Sequence, residues 1–123
     1  MTADQPDLFD PAGFAPLYQL PGAQTKVPEI IGIFLDEAEN LLHQARAALD
    51  AGDLSRLARA AHGLRGSSSL VGANRLRSES ERLEAAADSS LLDELAPRLE
   101  RVAATLGETR PLLLAALEHP PVT

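Results

Sequence analysis

The chain has 123 residues, 45% of them hydrophobic, which fits one domain around one compact core. Its formal net charge of −7 argues against non-specific binding to nucleic acid or to an anionic membrane surface, and the lack of cysteine excludes disulfides and thiolate metal sites. Aromatic residues make up only 3%, with no tryptophan, so the expected core is leucine and alanine packed between helices.

Residues 1–9 show no periodic pattern and read as a mobile segment. They contain no basic stretch leading into an apolar run, so no signal peptide is visible. No run anywhere reaches the roughly 18 apolar residues of a membrane span, and a cytoplasmic protein is the expectation. The domain is expected over 10–118. Asp10-Pro11 reads as a helix start, with Asp as N-cap and Pro at the first helical position. Phe14, Leu17 and Tyr18 then form a short apolar face that ends at Leu20-Pro21-Gly22. Pro28 is expected to open the first long helix. Ile31, Phe34, Ala38, Leu42, Ala45 and Leu49 recur in it at helical spacing. Gly52 ends this helix and Asp53 caps the next.

The second long helix is expected over 55–69 and contains His62. At about 100° per residue, Leu54, Leu57, Ala58, Ala61, Leu64 and Ser68 share one stripe, and His62 falls at its edge or outside it. Ser55, Arg59, Arg65, Gly66 and Ser69 stand three, four or seven residues from His62 and share its side. Glycine inside a helix costs roughly 1 kcal/mol relative to alanine, yet Gly63 and Gly66 are both present. Gly66 lies one turn after His62, where a side chain would hinder approach to the imidazole.

After Gly72 a third helix starts at Ala73-Asn74, with Leu76, Ser80, Leu83 and Ala87 facing inward. Arg75 with Glu79, and Arg77 with Glu81, are expected as solvated pairs on its outer face. Ser89 or Ser90 is expected to cap the last helix. Its stripe runs through Leu92, Leu95, Leu99, Val102, Leu106 and Leu113, with Pro97 and Pro111 expected to kink or divide it. Residues 119–123 read as a tail. His43 and His119 read as solvated residues. The expected fold is all-α, an antiparallel up-and-down four-helix bundle with a short additional N-terminal helix.

His62-Gly63-Leu64-Arg65-Gly66-Ser67-Ser68, followed by Gly72-Ala73, Leu76, Ser80, Leu83 and Glu84, resembles the signature of histidine-containing phosphotransfer (HPt) domains. The close match spans about 25 residues. The resemblance implies a carrier in a multistep two-component phosphorelay. His62 would take a phosphoryl group from an aspartyl phosphate on a receiver domain and pass it to another receiver. Partners would be response regulators or a hybrid histidine kinase. With a reference pKa near about 6.5, an imidazole keeps a substantial neutral form at pH 7 and can act as nucleophile. Arg65 would offer guanidinium donors to the phosphoryl oxygens, and Gly66 would leave room for the receiver. Arg59 would add positive field, and Ser69 would bond the other ring nitrogen or approach the phosphoryl group. The Mg²⁺ needed for transfer would sit in the receiver's acidic pocket, so no cofactor or metal is expected on this chain, and a monomer is expected.

Other chemistries find less support. There is no glycine-rich phosphate loop with a lysine, and the chain is too short for the ATP-binding domain of a sensor kinase. Glu39 and His43 stand four residues apart without a second histidine in metal-ligand spacing. Two alternatives stay open at this level. One is a scaffold that docks on a receiver or kinase without turnover. The other is a small helical phosphohistidine phosphatase using His62.

Overall fold

The computed structural model describes residues 7–13 and 15–119. Four helices run α1 (Ala23–Ala51), α2 (Leu54–Leu70), α3 (Asn74–Asp88) and α4 (Leu92–Glu118), with no strand among the described residues. Short turns join them, so successive helices run antiparallel, and α4 closes the bundle against α1.

Local chemistry accounts for the α1–α2 turn. Gly52 takes the left-handed conformation (φ 70°), and its N–H reaches back to the Ala48 and Leu49 carbonyls. The Asp53 carboxylate then accepts from the Arg56 N–H at 3.1 Å and caps α2. Each helix buries one stripe. Ile31, Leu57, Leu64, Leu76, Leu83, Leu99 and Leu106 are among the side chains fully removed from water. Burying a leucine or isoleucine contributes about 1.5–3 kcal/mol, and this aliphatic interior is the main force holding the helices together.

Several expectations are corrected. Residues 7–9 are packed rather than mobile: Leu8 and Phe9 belong to the core, the Leu8 carbonyl accepts from the Arg75 N–H, and Asp7 pairs with the Arg75 guanidinium. Two adjacent apolar side chains are no helical signal, and only the backbone contacts to the start of α3 give them a place to go. Residues 1–6, Phe14 and 120–123 lie outside the described residues, so the readings placed on them stand apart from the structure. The expected N-terminal helix is two 3₁₀ turns, Pro11–Gly13 and Ala15–Gln19, with Asp10 accepting from the Ala12 N–H as its capping role requires. Gly13 and Gly72 lie backbone to backbone there, and a Cβ on Gly72 would stand 2.2 Å from the Asp10 carbonyl oxygen.

α1 begins at Ala23, not Pro28. Pro28 has no N–H for the Gln24 carbonyl, but burial of Ala23 and Val27 extends the helix through it. Neither Ser89 nor Ser90 caps α4. Ser90 takes a positive φ of 55°, and the helix starts after Leu91. Pro97 and Pro111 do not divide α4, which is continuous across both. Leu92 points to solvent, and the buried stripe begins at Leu95. Glu79 is not a solvated surface residue either. Its side chain is only 5% exposed, with Arg82 at 3.5 Å and Arg101 of α4 at 3.6 Å. Two partly solvated guanidiniums make burial of that carboxylate tolerable.

Candidate functional site

α2 and α3 pack along their length, and this packing builds the site. Ala61, Leu64 and Ser68 turn inward, which leaves His62 outside with 61% of its side chain exposed. Its Nδ1 lies 3.0 Å from Glu84 Oε2, a residue of α3. The same nitrogen lies 3.0 Å from Arg65 Nη2, and Arg65 Nε stands 3.6 Å from Glu84 Oε1. His62, Arg65 and Glu84 therefore form a closed triangle across two helices.

The two contacts at Nδ1 exclude each other as hydrogen bonds. A carboxylate only accepts and a guanidinium only donates. The charge-assisted bond to Glu84 selects the Nδ1–H tautomer. The ring's lone pair then lies on Nε2, which has no hydrogen-bond partner among the described residues. Such an imidazole is held in orientation by one nitrogen and presents the other to whatever approaches from solvent. Glu84 was counted in the sequence only as part of a motif. Its position 22 residues on gives no hint of contact unless α2 and α3 are known to pair.

The two glycines of α2 divide in role. A Cβ on Gly63 would meet Leu41 Cδ1 of α1 at 3.1 Å, so Gly63 serves close helix packing. A Cβ on Gly66 would meet nothing within 4 Å. Packing thus gives no reason for Gly66, and its place leaves the surface beside His62 flat and open.

Arg59 is exposed and lines, with Ser55, Ala58, His62, Glu84 and Asp88, an open depression beside the imidazole. Ser69 does not reach the ring. Its Oγ donates to the Arg65 carbonyl at 3.2 Å, one of three successive serines that bond back into their own helix, with Ser67 to Gly63 and Ser68 to Leu64. Seven residues along a helix is about 10 Å, too far for a serine hydroxyl. His43 is exposed on α1 and His119 is exposed at the end of α4.

The all-helical bundle is the fold of the histidine phosphotransfer domains, and the Hpt domain profile matches residues 29–117. The chain belongs to the Hpt domain family, the histidine phosphotransfer domains of phosphorelay signalling, whose members work with receiver domains and kinases. Among solved structures it is similar to histidine-containing phosphotransfer protein B (HptB) from Pseudomonas aeruginosa PAO1. That likeness has a TM-score of 0.84 and 25% identity over 93% of this chain and 97% of the other. No curated protein matches the sequence. No helix among the described residues is long and apolar enough to cross a membrane.

Proposed function

We propose that His62 is the phosphoacceptor and that Nε2 is the reacting atom. Nε2 attacks the phosphorus of a receiver's aspartyl phosphate. The P–N bond forms, the bond between phosphorus and the acyl oxygen breaks, and the aspartate leaves as a carboxylate. Onward transfer is the reverse step on a second receiver. Phosphoryl transfer depends on positioning and on charge stabilisation more than on covalent help. Glu84 acts as a positioning residue that fixes the ring and its tautomer. Arg65, already at the ring edge, turns from Nδ1 to the phosphoryl oxygens. Gly66 admits the receiver's active-site surface, and Arg59, one turn before His62, faces the receiver rather than the phosphoryl group. The Mg²⁺ of the reaction belongs to the receiver's acidic pocket. The protein acts as a monomer in the cytoplasm.

The observation that carries this reading is the exposed imidazole with Nδ1 held by Glu84 and Nε2 free. Incubation with a receiver carrying labelled phosphate tests it. Acid-labile, base-stable label on this chain, mapped to His62, is the expected result. Immediate free phosphate would indicate a phosphatase instead, and no change in the label would indicate a scaffold.

A further inference from the structure

Arg56 and Arg59 are unlike the other arginines of the chain. Each of the others has a carboxylate within ion-pairing distance. Arg56 and Arg59 have none among the described residues, although 18 acidic residues face 11 basic ones in the sequence. Both side chains are exposed. With Leu41, Gln44 and Ala60 they line a shallow depression between α1 and α2. Arg59 also borders the depression that holds His62, where Glu84 and Asp88 are the facing carboxylates, and Glu84 is already engaged by His62 and Arg65. The two depressions thus meet at Arg59.

The surface has a direction. At about 100° per residue, Arg56, Arg59, Gly66 and Leu70 lie within about 80° of one another on α2. Leu70 is 65% exposed and ends this strip, about 16 Å from Arg59 along the helix. One end of the strip is cationic and the other apolar, with the open floor at Gly66 between them, beside His62. Uncompensated charge flanking a reactive group steers an oppositely charged partner.

We propose that Arg56 and Arg59 are specificity-determining residues that recognise an acidic patch on the receiver, set about 5–9 Å from its aspartyl phosphate along the direction of α2. This rests on His62 being the acceptor. The arginines act on encounter and register, not on the phosphoryl group. A receiver with an acidic patch there is taken up quickly, and one with a basic patch there is refused.

The test measures phosphotransfer from a panel of labelled receiver domains of the source organism to the parent chain, R56E and the R56E/R59E double variant. Labelling of each protein by phosphoramidate, which needs no receiver, is run in parallel. The ratio of receiver-driven to phosphoramidate-driven labelling is expected to fall about tenfold in the double variant. The fall should lie in KM rather than kcat, shrink as salt rises, and be restored by a receiver whose acidic patch is changed to lysine. R56Q/R59Q, which removes charge without reversing it, should fall between. An unchanged ratio overturns the inference while leaving His62 as acceptor. A fall confined to kcat would also overturn it, since the arginines would then act on the transfer step. Self-association of the chain that disappears in R56E/R59E would assign the face to a second copy, again overturning it. If neither phosphoramidate nor any receiver labels His62 in the parent, the proposed function itself falls.

Discussion

Glu84 Oε2 on α3 and His62 Nδ1 on α2 lie 3.0 Å apart, and the carboxylate is the more buried of the two, with 20% of its side chain exposed against 61%. The fixed member is therefore the acid and the presented member is the base. This order suits a nucleophile that must hold one orientation while a protein-sized partner covers it.

Glu84→Ala removes the acceptor at Nδ1. Nitrogen NMR of the His62 ring should show the Nδ1–H tautomer in the parent and a mixture in the variant. A hydrogen bond to a charged group is worth roughly 1.5–3 kcal/mol, so phosphotransfer is expected to slow about tenfold to a hundredfold. Glu84→Gln keeps an oxygen acceptor and should recover part of the rate. An unchanged tautomer in the alanine variant would remove Glu84 from the site.

His62→Gln keeps polarity and much of the volume but has no nucleophile. A folded protein that takes no label is expected, because neither His43 nor His119 is flanked by an arginine and a glycine as His62 is. Arg65→Ala should still be labelled, about tenfold to a hundredfold more slowly, since one charge-assisted contact to the phosphoryl oxygens is lost. Thermal denaturation should find both variants near parental stability. A large loss in either would mean that this face is structural.

The glycines of α2 should part company on substitution. Gly66→Ala adds a methyl to open space and should raise stability by up to about 1 kcal/mol, as alanine replaces glycine in a helix. Gly66→Leu should keep the helix but strongly slow transfer from receivers. Gly63→Val drives its Cβ and methyls toward Leu41 and should lower stability by about 1–3 kcal/mol. Chemical denaturation reads all three, and receiver assays separate the two Gly66 variants.

Asp7 provides a pH signature. The hydrogen bond from the Arg75 guanidinium holds its carboxyl below the usual value of 3.8. The folded value is the lower one, so the contribution to docking of 7–9 is complete above about 3.8 and is lost as pH falls through the depressed value. The hydrogen-exchange protection of the Arg75 amide, which donates to the Leu8 carbonyl, should fall over that acid window in the parent, relative to its intrinsic exchange rate at each pH. Asp7→Asn should show less protection above the window and no such step. A parental step that persists in Asp7→Asn would assign the loosening to another carboxylate.

What the sequence determined by itself was local or periodic. Leu57, Ala61 and Leu64 repeat at helical spacing, so the buried side of α2 and the exposure of His62 were readable without a partner helix. Gly52 and Asp53 act through their own backbone and the next turn, so the α1–α2 boundary was legible too. The tertiary structure decided what depends on residues far apart in the chain. Packing of α2 on α3 brings Glu84 to Nδ1, where only arginines, serines and Gly66 share that side in the sequence, and packing on α1 separates the role of Gly63 from that of Gly66. Burial of Ala23 and Val27 carries α1 through Pro28, and Arg82 of α3 with Arg101 of α4 makes burial of Glu79 tolerable despite its charge. Helical periodicity records which side of each helix is apolar. Which polar groups meet is set by the rotation and register of one helix against the next, and those follow from how all the side chains pack together.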